Sequence, residues 1–477
     1  MGLVDTRAQP APLLIRGAEV TGFDGPIDVR LAGGRIRETA PSLTRAARED
    51  VLDALGGQLL PGLHDHHVHL RALAAAGSSI RVGPPDVQNV TRFASALRSE
   101  DRRQPTGRWI RAVGYHESVA GDLDRRSLDA IVADRPVRVQ HRSGMLWTLN
   151  SAGLRTIDAD RDAPPGLELD ADARPTGRIW REDEWLRQRL PPGPVDLASV
   201  SATAAASGIT GFTDATPNAS ESAVRDLARA RAEGALVQRL HVMTAPGVEP
   251  SDLDGVTVGP VKYLLDDDRL PTLPELAAQI LHSHRSGRTV AVHCVTRVQL
   301  ALAVAVLQEV GTVAGDRIEH GAVVGPDVFP ILLRLGLTVV TQPGFVHSRG
   351  DRYLDDVEEE DQPDLWRLGS LLASGVRVAA GSDAPFGPFD PWVAIRAAVD
   401  RRTAGGRSLG RSERVSLGTA VGLFAGTAQS PASPRTIKPG QPADLCLLSE
   451  PLVTLPGSPA VVATIVAGLV VHRLGDR

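Results

Sequence analysis

The 477-residue chain is short of cysteine, of lysine and of long apolar runs. Its two cysteines, Cys294 and Cys446, are too few for a disulfide framework, which is typical of a reducing compartment. The most apolar late stretch, residues 460–471, is shorter than the roughly 20 residues that a membrane-spanning helix needs. The first residues lack the charged start and apolar core of a secretion signal. We therefore expect a cytoplasmic protein without a membrane partner.

Lysine is almost absent, since only Lys262 and Lys438 among the 52 basic residues are lysines. In a chain that uses arginine for nearly every positive charge, a lysine kept in an apolar strand-like run suggests chemistry that a guanidinium cannot perform. The net charge of -5 gives no basic surface to attract nucleic acid, so we expect no such partner. With 42% hydrophobic residues, the chain can fill one large domain and a smaller one.

Both ends of the chain carry patterns typical of short strands. Near the N-terminus, apolar and charged residues alternate around a Gly33-Gly34 turn, and residues 443–448 and 465–471 have similar apolar runs. We predict one small β-sandwich domain built from residues 1–58 and 432–477. The alternative, two independent sets of edge strands, would leave backbone groups unpaired.

Between the two ends, apolar strand-like runs alternate with helix-like stretches. The first run ends at His69. Seven more lie at residues 208–214, 238–244, 257–264, 289–294, 316–320, 337–341 and 376–380. Eight such repeats predict an α/β fold, a (β/α)8 TIM barrel over residues 59–431, with its active site at the carboxyl ends of the strands. The interval of about residues 71–200 is too long for one connection, so we interpret it as an insertion after the first barrel strand.

Metal-compatible side chains recur where these strands end. His67 and His69 are two residues apart, so on a strand they point to the same side and can close on one metal ion. The later strands end with Lys262, His293, His320 and Asp383. Each residue alone has a structural interpretation: a histidine bonded in the core, an aspartate capping a helix, or a lysine paired with residues 266–268. Five strands with such residues at the same end favour a common site.

These segments resemble the metal-site motifs of the amidohydrolase superfamily of metal-dependent hydrolases. The resemblance lies in residues 61–69, 292–294, 318–321 and 381–385, and it extends to residues 438–445 near the C-terminus. The long insertion and the Val261-Lys262 strand are similar to the branch that includes N-substituted formamide deformylases and related amidases. The resemblance implies a small-molecule substrate and, at the level of the family, a homodimer.

The resemblance also implies a set of metal ligands. His67, His69 and Asp383 would hold one divalent metal ion, and His293 and His320 would hold a second. Zinc is the metal expected first. Lys262, carboxylated on its amine, would bridge the two ions. Such a lysine can lose its proton beside cations, whereas a guanidinium stays charged. A mononuclear site with an unmodified Lys262 is the alternative.

The expected activity is hydrolysis of a non-peptide carbon–nitrogen bond in an amide, urea or carbamate. In this hypothesis a metal-bound hydroxide attacks the carbonyl carbon, and Asp383 acts as general base and then as general acid. The same site could serve deamination or the hydrolysis of an ester or lactone. A catalytically inactive barrel with an assembly role, or a metal-storage or sensing protein, are alternatives of other classes.

Candidate substrate contacts lie in the insertion and after the seventh barrel strand. They are Tyr115, His116, His141, Trp147, Asn150 and Phe345. Related sequences commonly have a histidine where this chain has Met145, so that contact is not carried over. Residues 342–366 are predicted to form a long loop that could close over the site. Because apolar and aromatic candidates outnumber fixed charges, we expect a substrate with an apolar N-substituent.

Overall fold

The computed structural model describes residues 11–84, 86–190, 195–249, 253, 255–455 and 457–475. The chain forms two compact units, one of residues 1–70 and 197–477 and the other of residues 71–196. None of the helices in the described ranges is long and apolar enough to cross a membrane.

The strands are short, and most of them have four to six residues. In chain order they are β1 (Leu13–Ala18), β2 (Ile27–Ala32), β3 (Arg35–Ala40), β4 (Asp50–Asp53), β5 (Leu59–Pro61), β6 (Leu63–Val68), β7 (Ile80–Arg81), β8 (Ile110–Tyr115), β9 (Val137–His141), β10 (Leu146–Leu149), β11 (Leu167–Leu169), β12 (Pro175–Trp180), β13 (Ile209–Asp214), β14 (Arg239–Thr244), β15 (Val256–Tyr263), β16 (Val290–Cys294), β17 (Arg317–His320), β18 (Thr338–Thr341), β19 (Arg377–Ala380), β20 (Leu445–Leu448), β21 (Val461–Val466) and β22 (Leu469–Arg473). Four sheets contain all of these strands.

The helices range from four to fourteen residues. In chain order they are α1 (Leu70–Gly77), α2 (Val90–Arg103), α3 (Glu117–Ala120), α4 (Arg125–Asp129), α5 (Ser151–Thr156), α6 (Asp183–Arg189), α7 (Leu197–Ala206), α8 (Glu221–Ala232), α9 (Leu273–Arg285), α10 (Arg297–Val310), α11 (Phe329–Leu335), α12 (Gly344–Asp356), α13 (Gly369–Ala373), α14 (Pro391–Asp400) and α15 (Leu417–Gly422). Short 3-10 turns lie at Asp267–Arg269, Pro326–Val328, Gln362–Asp364 and Arg411–Glu413.

Eight parallel strands, β6 and then β13 to β19, follow one another in a single sheet. Backbone hydrogen bonds also join β6, the first strand of this sheet, to the segment that follows β19, the last one. The His69 N–H donates to the Ala384 carbonyl at 2.9 Å, and the Asp383 N–H donates to the His67 carbonyl at 2.7 Å. The predicted (β/α)8 barrel is confirmed, and its strands coincide to within one residue with the apolar runs that predicted them. Carboxyl ends of all eight strands therefore lie at one rim.

The small β domain has two sheets, one built from N-terminal strands and the other from three C-terminal strands and β5. The sheets have the strand orders β3-β2-β1-β4 and β22-β21-β20-β5, and Leu60 of β5 pairs with Cys446 of β20. Ile15, Leu31 and Ile465 belong to one buried core that both sheets share. Strands from the two ends thus form one small domain, as expected. Its limits at residues 1–58 and 432–477 stay a prediction.

The unit of residues 71–196 has a mixed six-stranded sheet with the order β11-β12-β10-β9-β8-β7. Strands β7, β8 and β9 are parallel, whereas β10 is antiparallel to both β9 and β12. One apolar cluster includes Phe93 and Ile110, and a second includes Trp147 and Ile179. This unit therefore has a sheet and apolar cores of its own.

The prediction of one long loop at residues 342–366 is wrong. Residues 344–356 form α12, and a 3-10 turn follows at Gln362–Asp364. Phe345, Val346 and Gly350 are the buried side of this helix. The segment is largely polar and has few apolar residues. The spacing of its apolar residues therefore did not indicate a helix in the sequence.

Candidate metal centre

Three of the predicted ligands lie together where β6 meets the segment after β19. His69 Nε2 is 2.9 Å and His67 Nε2 is 3.4 Å from the same oxygen, Oδ1 of Asp383. One ligand atom from each residue lies within 4.8 Å of the others. The His67 side chain is buried, and those of His69 and Asp383 are about one-tenth exposed. This arrangement can surround a single cation at the barrel rim.

His293 of β16 and His320 of β17 extend this group. The ring centroid of His320 lies 4.7 Å from that of His67 and 4.5 Å from that of His293. Burial lowers the pKa of His293 to about 3 and holds those of His67 and His320 well below the usual value. The three rings are therefore neutral near pH 7, which is the form that binds metal ions.

Lys262, on β15, is a buried amine. Its Nζ has no hydrogen-bond partner within the described part of the chain, so the ion pair with residues 266–268 is not formed. Burial is the main effect on its pKa and lowers it, while Glu319 and Asp383 act in the opposite direction. A buried amine of lowered pKa suits the chemistry that the sequence analysis expected of this lysine.

Sequence reasoning missed Glu319, a fully buried carboxylate on β17. It pairs with His67 Nδ1 and with the Arg317 guanidinium. Burial acts to raise the pKa of Glu319, but Arg317 and Lys262 hold it below its usual value. Because the carboxylate accepts from Nδ1, Nε2 of His67 is left facing Asp383, which is how metal-binding histidines are commonly oriented.

The backbone at His320 explains why Glu319 was missed. Consecutive strand residues normally point to opposite faces, so His320 in the site would place Glu319 away from it. His320, however, has a φ of +69°, outside the extended region. This change of backbone conformation lets both side chains reach the His67 ring. Gln342, also not predicted, lies beside His320, with its Oε1 2.7 Å from His320 Nδ1.

Asp65 and Gly381 position the residues around Asp383. The buried Asp65 carboxylate accepts from the Ser382 N–H at 2.9 Å, and burial raises the pKa of Asp65 to about 6. A Cβ on Gly381 would lie 2.4 Å from the His67 nitrogen, so only glycine fits there. Asp383 itself has a φ of +52°, a conformation that costs on the order of 1–3 kcal/mol. Such strain persists only where neighbouring contacts fix it.

These donors suit a divalent metal ion. Neutral imidazoles and carboxylates are ligands of zinc and of neighbouring transition metals. His67 Nε2 and Lys262 Nζ are buried atoms without a hydrogen-bond partner among the described residues, which is costly unless another group satisfies them. A cation, and a carboxyl group added to the lysine, would each do so.

The structure gives hydrogen-bond partners within residues 71–196 for the substrate contacts predicted there. Asn150 is fully buried; its Oδ1 accepts from the Val137 and Gly153 N–H groups, and its Nδ2 donates to the Val132 carbonyl. The Tyr115 hydroxyl donates to the Gly121 carbonyl at 2.6 Å. The polar atoms of Asn150 and Tyr115 thus bond to the backbone, and their role as substrate contacts stays a prediction.

The remaining three candidates are Trp147, which donates to Asp183 at 2.9 Å, and His116 and His141, which both lie beside Glu117. Phe345 belongs to an apolar cluster that also contains Phe386. The Phe386 ring centroid is 5.4 Å from that of His69. Phe345 is therefore linked to the barrel ligands through Phe386.

The Glu319–His67 contact yields a first prediction. Replacing Glu319 by Gln should weaken metal binding about 10- to 100-fold, because the His67 ring loses the charged group that orients it. Competition with a chelator measures the affinity, and the exposed Glu309→Gln provides the matched control. Equal affinity of Glu319→Gln and the wild type would show that Glu319 does not orient the ligand.

A family model described as "Amidohydrolase family" matches residues 50–472. The chain belongs to this amidohydrolase family. Membership confirms the predicted superfamily and the assignment of the chain to the amidohydrolase class of enzymes. The match covers the barrel, the unit of residues 71–196 and, of the terminal β domain, strands β4, β5 and β20 to β22.

Comparison with individual proteins places this amidohydrolase among distant relatives. It is 24% identical over 464 residues to an N-substituted formamide deformylase from Arthrobacter pascens, covering 83% of this chain and 84% of the relative. A metal-dependent hydrolase from Pyrococcus horikoshii shares the fold with a TM-score of 0.72 and 19% identity, over 93% of this chain and 98% of the other. An atrazine chlorohydrolase from Arthrobacter aurescens, solved with zinc, has a TM-score of 0.55 and 13% identity, over 97% and 95% of the two chains.

Proposed function

We propose that this amidohydrolase cleaves a non-peptide carbon–nitrogen bond of an amide, urea or carbamate. The observation that carries the proposal is the row of four imidazoles that runs from His69 through His67 and His320 to His293, with Asp383 at one end. The deformylase relative, whose name denotes cleavage of an N-formyl group, supports the same class of bond.

His67, His69 and Asp383 would hold one divalent ion, and His293 and His320 would hold a second. Zinc is the metal expected first. Lys262, carboxylated on Nζ, would lie between the two groups; its burial and its lack of a hydrogen-bond partner among the described residues support this role. When bound, such ions polarise a carbonyl group and lower the pKa of a coordinated water to about 7.

Asp383 is the residue that moves the proton. Both of its contacts to histidine use Oδ1, so Oδ2 is the oxygen proposed to take a proton from the attacking water. The same carboxyl group then returns the proton to the departing nitrogen, which leaves as a neutral amine. Its strained backbone and the contacts around Ser382 hold the carboxylate in place for both steps.

The apolar cluster beside the metal centre supports a substrate with an apolar N-substituent. Phe386 meets the His69 ring edge to face, and Phe345 packs against Trp366 with centroids 5.1 Å apart. Aromatic surface next to polar catalytic groups is common in sites for small apolar ligands. The cytoplasmic location and the homodimer stay predictions from the sequence.

Metal removal tests the proposal. We expect the chelated protein to lose activity and to regain it with Zn²⁺ when assayed on N-substituted formamides, ureas and carbamates. Esters, lactones and aminoheterocycles in the same panel test the alternatives of esterase and deaminase activity. The exposed His282→Ala is the control and should behave as the wild type does. Turnover that is confined to esters or aminoheterocycles would overturn the assignment of bond type.

A further inference from the structure

A second group of metal-compatible residues lies in the unit of residues 71–196, where His116, Glu117 and His141 each offer a ligand atom within 4.8 Å of the others. Glu117 presents one oxygen to each ring: Oε1 is 3.1 Å from His116 Nε2, and Oε2 is 3.1 Å from His141 Nε2. The ring planes differ by 29°, and their centroids are 5.9 Å apart. Two imidazoles thus flank a single carboxylate.

The sheet of this unit brings the three residues together. β8 and β9 are parallel neighbours, and Tyr115 at the end of β8 pairs with His141 at the end of β9. His116 follows β8 directly, and Glu117 is the first residue of α3. The ligand atoms therefore come from adjacent strand ends, where the backbone is fixed by the sheet.

Each imidazole is oriented by a serine two residues later in the chain. Ser118 Oγ lies 2.8 Å from His116 Nδ1, and Ser143 Oγ lies 2.8 Å from His141 Nδ1. The backbone N–H groups of the same serines also face Nδ1, at 3.2 Å. With Nδ1 engaged by its serine, each ring turns Nε2 toward Glu117. In metal sites the other imidazole nitrogen commonly donates to such a partner, a role that the serine hydroxyl oxygens can take here.

The carboxylate of this group is ionised near neutral pH. Burial acts to raise the pKa of Glu117, but a backbone hydrogen bond and the bond with His141 hold it below the usual value, with a further contribution from His116. The His116 and His141 side chains are 14% and 21% exposed, whereas that of Glu117 is 51% exposed. A cation can thus reach a charged oxygen between two mostly buried rings.

We propose that His116, Glu117 and His141 bind a divalent transition-metal ion such as Zn²⁺, separate from the ions of the barrel. Ligands at the usual zinc distances of about 2.0–2.2 Å lie roughly 3.0–3.5 Å from one another. Each oxygen of Glu117 already lies within this range of one ring nitrogen. Two imidazoles and one carboxylate match the chemistry of transition-metal sites that keep open positions.

Binding through Nε2 requires a tautomer change in a ring that carries its proton on that nitrogen. In the arrangement that the structure shows, His141 Nε2 donates to Glu117 Oε2, and Nδ1 of each ring accepts from the backbone N–H of its serine. With a metal ion at Nε2, the ring proton lies on Nδ1, which gives up the bond from the serine N–H and donates to the serine hydroxyl oxygen instead. The ion would tie together the ends of β8 and β9 and stabilise the unit of residues 71–196 by mass action.

Metal stoichiometry of the full chain tests this site directly. Chelated protein is reloaded with Zn²⁺ alone, and bound metal is counted for the wild type, His141→Ala and Glu117→Gln. We expect both variants to hold one equivalent less than the wild type, while His282→Ala, which removes an exposed histidine elsewhere, holds the full amount. Ser143→Ala should weaken the same equivalent about 10- to 100-fold.

A barrel variant separates this proposal from the proposed function. His67→Ala should lose barrel metal and activity but retain the equivalent bound at Glu117. If it does, and the visible spectrum of the Co²⁺-loaded variant changes on adding Glu117→Gln, the site is established whatever the substrate of the barrel. Equal stoichiometry and equal Co²⁺ spectra with and without Glu117→Gln would overturn the site and leave a hydrogen-bonded cluster.

Discussion

Replacing Asp383 by Asn should reduce kcat by about 10²- to 10⁴-fold, the range that a general acid–base residue contributes. Asn keeps the size of the side chain and an oxygen that can face His69, but it cannot take a proton. Turnover should therefore fall far more than metal content. Measuring kcat together with bound metal separates the two effects.

The exposed Asp172→Asn is the matched control for this substitution and should leave kcat and metal content at wild-type values. A fall in metal content of Asp383→Asn with unchanged activity per bound ion would contradict proton transfer by Asp383. In that case the carboxylate would serve only to hold the ion, in line with its contacts to His67 and His69.

Replacing Lys262 by Met should have opposite effects on stability and activity. In the metal-free protein, the free energy of unfolding should rise by about 1–3 kcal/mol, because a buried amine without a hydrogen-bond partner among the described residues is replaced by an apolar group. In the metal-loaded protein, activity should fall to that of the chelated wild type, because no carboxylated amine can lie between the two groups of ligands.

The chain offers an unusually good control, since its other lysine, Lys438, is exposed. Lys438→Met should change the free energy of unfolding by no more than a few tenths of a kcal/mol. It should also leave the activity at the wild-type value. Denaturant unfolding of chelated protein gives the stability, and native mass measurement detects carbon dioxide on Lys262. Full activity of Lys262→Met would exclude a role for the lysine in the metal centre.

The barrel was predictable because its strands leave a strong local signal. Each barrel strand lies in a short apolar run, and His69, His293, His320 and Asp383 stand at or just after strand ends. Parallel strands joined by helices place such ends at one rim, so sequence order alone predicts that these residues meet. The structure brings them together, while their assignment as ligands stays a prediction.

The rest of the site depends on features that leave no pattern in the sequence. Glu319 reaches His67 only because His320 adopts a positive φ, which interrupts the alternation of the strand. Tyr115 and Asn150 are polar residues near strand ends, and only the packed structure shows that their polar atoms serve the backbone. Alternation and composition describe ideal elements, so they fail where the backbone departs from them.

The pairing of Leu60 with Cys446 has a consequence for biosynthesis. While the barrel is still being translated, β1 to β4 have no opposite sheet, because β20 to β22 follow the barrel in chain order. An apolar face and the unpaired edge of β5 are thus exposed until the whole barrel has been made, a state that favours aggregation and chaperone binding. Products truncated before β20 should accumulate in inclusion bodies even though every barrel strand is present.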